Sequence, residues 1–85
     1  MYQVVIERRA EKDLDRLPPQ IRRRLSESIS ALASNPRPTG CRKLVGGDDD
    51  WRIRVGDYRV IYQIADTIRV VRVNRVRHRR EVYKK

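Results

Sequence analysis

Three arginines lie close together in the segment WRIRVGDYRVIY, namely Arg52, Arg54 and Arg59. The Gly56-Asp57 pair between them is typical of a tight hairpin turn. Such a turn would pair Arg54 with Arg59 and place all three arginines on one face, because side chains alternate along a strand. Like charges opposed across strands destabilise a sheet, and a bound anion would remove that cost. Since guanidinium groups bind phosphate through paired hydrogen bonds, we predict that this face holds phosphate.

The opposite face of the same hairpin is predicted to belong to the hydrophobic core. Apolar residues occupy the alternate positions of both runs, and the turn would bring them together: Trp51, Ile53, Val55, Tyr58, Val60 and Tyr62. The register implied by the turn pairs Val55 with Tyr58, Ile53 with Val60 and Trp51 with Tyr62. The aromatic residues are therefore interpreted as core residues and not as ligand-binding groups.

The first half of the chain is predicted to supply one strand and two helices. Residues 2–7 alternate between apolar and polar, as in a strand. Apolar residues at helical spacing run from Ala10 to Leu17 and again from Ile21 to Leu32. Pro18-Pro19 would separate the two helices, and Asn35-Pro36 would end the second. We expect the helices to form an antiparallel pair.

The second half is predicted to continue the sheet. Residues 42–45 read as a short strand, and Ala65-Asp66 as a second two-residue turn. That turn would pair Val60 with Val71 and set Arg72 beside Arg59, widening the arginine cluster. Val70-Val71 breaks the alternation and could mark a bulge, and residues 77–85 would form a helical turn or an extended tail. The expected architecture is a single α+β domain, residues 1–85. Its two N-terminal helices would pack on one face of a mainly antiparallel sheet of about four strands.

The composition favours an anionic partner. The chain carries 21 Lys and Arg against 11 Asp and Glu, a net charge of +10. A balance this basic in a small domain is typical of proteins that meet nucleic acid or an acidic protein. The lone Cys41 allows no internal disulfide, so a cytoplasmic location is expected. No apolar run approaches the roughly 18 residues of a membrane span, and we expect no membrane association.

Other charged or glycine-containing segments are interpreted as structural. Arg22 to Arg24 fit a solvated helix face, although a second binding site is an alternative. Asp48 to Asp50 read as a solvated turn and not as a metal site, because no other ligand lies nearby. Gly46 and Gly47 are turn residues, since no helix follows them as in a phosphate-binding loop. We therefore expect neither a metal nor another cofactor.

The run RKLVGGDDDWRIRVGDYRVIYQI, with a valine-rich strand and a terminal HRREVY, resembles the RelE branch of the RelE/ParE toxin superfamily. The resemblance covers nearly the whole chain and implies a RelE-like, microbial-ribonuclease-like fold. It implies a type II toxin that cleaves mRNA in the ribosomal A site and so inhibits translation. It also implies a cognate RelB-like antitoxin that holds the toxin in a heterodimer or heterotetramer.

The resemblance also implies roles for individual residues. The catalytic strand positions fall on Arg52 and Arg54, and the arginine of the next strand on Arg59. The C-terminal arginine falls on Arg79, or on Arg77 if the gap is placed differently. The terminal tyrosine that stacks on or orients substrate falls on Tyr83. Well-known members carry lysines where this chain has Arg52 and Arg54. Arginine effectively never loses its proton, so these two positions can bind phosphate but not act as a general base.

Metal-independent RNA cleavage uses the 2′-OH of the substrate as nucleophile, and the protein must align it, stabilise phosphoryl charge and move protons. His78 is the one residue that ordinarily titrates near neutrality and is a candidate acid or base. Two other functions remain open. One is a ParE-like inhibitor that binds DNA gyrase without nuclease activity, and the other is a non-catalytic basic domain that binds RNA or DNA.

Overall fold

A five-stranded sheet with two helices on one face forms the framework of the protein. The computed structural model describes residues 1–46 and 49–80. In chain order the elements are β1 (Gln3–Ile6), α1 (Arg8–Asp15), α2 (Pro19–Ala31), β2 (Arg42–Lys43), β3 (Asp50–Val55), β4 (Tyr58–Ala65) and β5 (Val70–His78). The order in the sheet is β1-β5-β4-β3-β2. Only the β1–β5 pair is parallel among the described strands.

The predicted α+β architecture is confirmed, with five strands instead of about four. The short strand predicted at residues 42–45 is present as β2, which contributes only two residues to the ladder. Both helices occur where the apolar spacing placed them, and Pro19 opens α2 at a position where its missing N–H costs nothing. Helix α1 packs on β5 and α2 packs on β3. No helix in the described ranges is long and apolar enough to span a bilayer.

The hydrophobic core lies between the helices and one face of the sheet. Leu14, Leu25 and Ile29 face the sheet from the helices. Tyr62, on β4, is fully buried and donates its hydroxyl hydrogen bond to the carbonyl oxygen of Pro36 at 2.7 Å. Burial raises the pKa of the Tyr62 hydroxyl. The sheet residues of the core alternate along their strands: Ile53, Val60, Tyr62, Ile64, Val71, Val73 and Val76.

The predicted hairpin between β3 and β4 is confirmed residue by residue. Val55 pairs with Tyr58, Arg54 with Arg59, and Ile53 with Val60. Gly56 has a φ of 61°, in the left-handed region that a tight turn of this kind requires and that glycine adopts without strain. The register therefore follows from the two turn residues alone.

The predicted register between β4 and β5 is wrong. The turn spans residues 66–69 and is not a two-residue turn at Ala65-Asp66. Val60 pairs with Val76 instead of Val71. A bulge is present, but it lies at Asn74 and not at Val70-Val71, since Tyr62 pairs with Val73 and Ile61 with Arg75.

Contacts remote in sequence hold this longer turn in place. The Asp66 carboxylate accepts hydrogen bonds from the Tyr2 hydroxyl at 2.6 Å and from the Arg37 guanidinium at 2.8 and 3.2 Å. These hydrogen bonds, that from Arg37 above all, lower the pKa of Asp66 to about 2. The parallel pairing of Gln3 with Val70 fixes where β5 begins. The register is thus set by partners that the local sequence does not reveal.

Candidate functional site

Arginines from four neighbouring strands share the sheet face that points away from the helices. Arg54, Arg59 and Arg77 lie side by side on β3, β4 and β5, and Arg42 on β2 lies opposite Arg52 on β3. Directly paired residues share a face of the sheet, and so do residues two positions apart on one strand. These five side chains therefore lie on the same face. We call Arg42, Arg52, Arg54, Arg59 and Arg77 the arginine face.

Two members of the arginine face are largely removed from solvent. Arg52 retains 8% and Arg59 retains 7% of its accessible surface, whereas Arg54 and Arg42 are exposed. A charged group seldom becomes this buried unless the surroundings hold it in a defined orientation. The face therefore combines buried arginines with exposed ones at its rim.

A cavity of about 380 Å³ opens on this face at the tip of the β3–β4 hairpin. Arg54, Arg59, Arg79 and Arg80 contribute to its walls, with Gly56, Asp57 and Tyr58 forming the remainder. The N–H of Arg79 donates a hydrogen bond of 2.7 Å to the carbonyl oxygen of Asp57, which holds the start of the C-terminal segment against the hairpin tip. Four guanidinium-bearing residues thus surround one space.

Most of the predicted site residues meet around this cavity or beside it. Arg54, Arg59 and Arg79 line it, and Arg52 lies two positions before Arg54 on the same face. Tyr83 lies outside the described residues. The structure therefore brings Arg52, Arg54, Arg59 and Arg79 onto one continuous surface.

Arg72 does not belong to this cluster, which corrects the predicted widening of the site. It is exposed and pairs with Gln63, because the longer turn and the bulge shift β5 along β4. The residue that lies opposite Arg59 is Arg77, which the sequence had offered only as an alternative to Arg79. Arg42 and Arg80 were missed. The signal for Arg42 was its position in a short strand beside the hairpin, where antiparallel pairing brings it opposite Arg52.

His78, at the end of β5, contacts the wall of the cavity from the side. Its ring packs edge-on against Tyr58, with 5.3 Å between ring centroids and 88° between the ring planes. Its Nδ1 accepts a hydrogen bond of 3.3 Å from the N–H of Arg80, so the neutral ring carries its proton on Nε2. The imidazole is therefore held in one tautomer close to the arginines.

An ion pair with Asp13 of α1 engages a further arginine of β5, Arg75. Arg75 binds the Asp13 carboxylate at 2.9 and 3.2 Å, and the same carboxylate accepts the N–H of Val76 at 2.9 Å. Although burial raises the pKa of Asp13, these hydrogen bonds bring it below its usual value. Asp13 thus provides a hydrogen-bond acceptor for a backbone N–H at the edge of β5, beyond the point where β1 ends.

The arrangement suits the binding of a phosphodiester and the stabilisation of a more highly charged transition state. Several arginines around one space concentrate positive charge there, and positive charge at the reacting phosphate stabilises such a transition state. No group of three or more His, Cys, Asp or Glu side chains within residues 1–46 and 49–80 is arranged to hold a metal ion. Asp49, in the predicted solvated turn, is exposed and forms an ion pair of 3.4 Å with Lys43.

Comparison with known proteins assigns the fold to a family. Residues 4–83 match the model of the ParE toxin of the type II toxin–antitoxin system parDE. The chain belongs to the RelE/ParE toxin superfamily. A protein of Methanocaldococcus jannaschii named RelE1 toxin is 33% identical over 98% of this chain and 96% of its own length. The expected resemblance to RelE-type toxins is therefore confirmed.

Solved structures of RelE toxins share this fold over most of their length. The toxin of the archaeal RelE–RelB complex from Pyrococcus horikoshii is 34% identical, with a TM-score of 0.81 over 92% of this chain and 94% of that one. The toxin of the RelBE2 complex of Mycobacterium tuberculosis is 30% identical, with a TM-score of 0.81 over 91% and 96%. The E. coli toxin in the intact RelBE complex is 29% identical, with a TM-score of 0.77 over 89% and 94%.

Proposed function

We propose that this type II toxin is a metal-independent endoribonuclease that cleaves mRNA on the ribosome and thereby inhibits translation. The observation that supports the proposal is the set of guanidinium groups around one cavity at the hairpin tip, contributed by Arg54, Arg59 and Arg79. The arginine face and the HRREVY ending favour this function over that of a ParE-like gyrase inhibitor. A phosphodiester fits that space and offsets the repulsion between Arg54 and Arg59.

In the proposed reaction the 2′-OH of one nucleotide attacks the phosphorus that joins it to the next. A bond forms between O2′ and phosphorus, the bond to O5′ breaks, and the products are a 2′,3′-cyclic phosphate and a 5′-OH. Arg59 and Arg54 stabilise the charge that builds on the non-bridging oxygens. Arg79, held by Asp57, binds the phosphate from the open side.

The site offers few groups that can transfer a proton. Arg52 and Arg54 cannot act as bases, because a guanidinium effectively never loses its proton in a protein. His78 is proposed as the acid or base, and Tyr83 as the ring that stacks on a base and orients the substrate. An enzyme with few proton-transfer groups depends on alignment of the 2′-OH, which we assign to the ribosome.

The test is primer extension on a translated message after brief induction of the toxin. The wild type should cut the translated message and leave the same RNA intact without ribosomes. Arg59→Ala should lower cleavage about 100-fold or more, and Tyr83→Ala should also abolish growth arrest. Arg16→Ala, an exposed position at the end of α1, is the matched control and should cleave as the wild type does. Equal degradation of naked RNA would refute the dependence on the ribosome.

A ParE-like gyrase inhibitor is the second candidate, favoured by the match to the ParE toxin model. A gyrase supercoiling assay run beside the primer extension separates the two. Inhibition of supercoiling without RNA cleavage, unaffected by Arg59→Ala, would establish the second candidate. Salt-sensitive binding of nucleic acid without either activity would indicate the non-catalytic binding domain.

We further propose that a RelB-like antitoxin neutralises this toxin. The solved relatives from P. horikoshii, M. tuberculosis and E. coli are toxins in complex with their antitoxins. A segment rich in acidic and apolar residues would cover the arginine face, or displace the C-terminal segment that begins at Arg79. Light scattering of the co-expressed pair should give the mass of a heterodimer or heterotetramer.

A further inference from the structure

A second and larger cavity, of about 820 Å³, lies between the C-terminal half of α2 and β3. It exists because β2 is so short. The β2–β3 ladder ends where Arg42 pairs with Arg52, so β2 leaves the outer edge of residues 53–55 uncovered. The loop of residues 35–40 passes at a distance from that edge and closes the far side of the space. We call this space the α2–β3 groove.

The walls of the groove differ in chemistry. Arg42, Arg52 and Arg54 supply positive charge along one side, while Ala31, Pro38 and Val55 supply accessible apolar surface. Ser28, Asn35 and Thr39 add polar side chains on the helix and loop side. A nucleotide has the matching composition, with a charged phosphate, a flat apolar base and polar edges.

The groove is continuous with the candidate active site. Arg54 lines both the groove and the 380 Å³ cavity that also contains Arg59 and Arg79. Arg52, two positions before Arg54 on β3, and Arg42, one strand further out on β2, extend the arginine face from Arg54 into the groove. A single RNA strand whose phosphate lies at the hairpin-tip cavity would therefore follow a continuous line of arginines into the groove.

From these observations we propose that the α2–β3 groove binds the nucleotide next to the cleaved phosphodiester, with its phosphate on Arg42 and its base against Ala31 and Val55. This inference rests on the proposed ribonuclease function. A volume of about 820 Å³ lies within the range of small-ligand sites, which run from roughly 300 to 1,000 Å³. The groove thus makes the toxin sensitive to the base beside the cut and gives Arg42 a role in binding.

The first experiment fills the groove. Ser28→Trp places a large ring in it from α2 without altering any arginine, and Glu27→Trp places the same ring on the exposed neighbouring position as a control. Cleavage of a translated message should show KM raised about tenfold for Ser28→Trp with kcat within about twofold of wild type. The base preference beside the cut should also weaken. Glu27→Trp should change neither.

The second experiment removes a charge without adding bulk, and so covers the case in which Ser28→Trp fails to fold. Arg42→Gln should weaken binding of a short fluorescent single-stranded RNA about tenfold, measured by anisotropy with the purified full-length toxin. Lys43→Gln, its exposed neighbour, should bind as tightly as the wild type. Circular dichroism melting establishes that each variant is folded.

The outcomes separate the inference from the function on which it rests. Normal KM, base preference and RNA affinity in both Ser28→Trp and Arg42→Gln, with Arg59→Ala inactive, would overturn the inference and leave the ribonuclease intact. A wild type that cuts no RNA would instead overturn the proposed function. Weaker binding of the antitoxin to Ser28→Trp, with unchanged RNA affinity and cleavage, would assign the groove to the protein partner and also overturn the inference.

Discussion

Replacing Arg54 by glutamine should make the protein more stable and less active. Arg54 is exposed and lies directly opposite Arg59 in the β3–β4 ladder. Directly opposed residues have Cβ atoms about 5 Å apart, and long side chains can splay to roughly 7 Å between charges. At that distance the repulsion in water is about 0.6 kcal/mol, and the screening at physiological salt more than halves it. Glutamine keeps most of the side-chain length and removes the charge.

The gain should therefore depend on ionic strength. At low salt Arg54→Gln should melt about 2–4 °C above the wild type, because 1 kcal/mol corresponds to roughly 4–8 °C in a domain of this size. The gain should shrink towards zero as sodium chloride is added. Added inorganic phosphate should raise the melting temperature of the wild type more than that of the variant, since an anion that binds the native state stabilises it. Cleavage should fall at the same time.

Arg23→Gln serves as the control for this experiment. It lowers the net charge of +10 by the same amount from an exposed position on α2, and its melting temperature should stay close to that of the wild type. If Arg54→Gln melts at or below the wild type at low salt, Arg54 is stabilised by its surroundings in the free protein. The energetic reasoning for an anion site on this face would then be refuted.

Two further changes test the framework that positions the site. Tyr62→Phe removes the hydroxyl that binds the Pro36 carbonyl and should lower the free energy of unfolding by about 1 kcal/mol, measured by urea denaturation. Cleavage should be unchanged, because Tyr62 lies on the core face. A urea midpoint equal to that of the wild type would contradict this. Asp66→Asn should be less stable than the wild type above about pH 4. This difference in stability should disappear towards about pH 2, because folding lowers the pKa of Asp66 from 3.8 to about 2. Melting temperatures measured across that range check the sign, and a difference that persists undiminished at the acid end would count against the ion pair.

The hairpin of the site was predicted correctly, because residues that are neighbours in the sequence determine it. A two-residue turn at Gly56-Asp57 leaves one possible register, and alternation then decides which side chains face the core. The pairing of Arg54 with Arg59 followed from those rules and the structure has it unchanged. The helices followed equally from apolar spacing and from Pro19.

The part that was predicted wrongly depends on contacts between distant segments. Arg72 was expected beside Arg59, but Arg77 lies there, because the β4–β5 turn has four residues and Asn74 forms a bulge. Tyr2 and Arg37 hold that turn through Asp66, from 64 and 29 residues away in the chain. A pattern of alternating valines and arginines fits several registers equally well, so the local sequence could not choose between them.

The sequence by itself determined that this protein has an arginine-bearing hairpin, two helices on its other face and a strongly basic charge. Those properties depend on the identity and spacing of neighbouring residues. Only the tertiary structure decided which arginines from β2, β5 and the C-terminal segment join the hairpin, and that a groove beside β3 continues the site. Strand partners remote in the chain are selected by the packing of the whole domain, and a short sequence window does not contain that information.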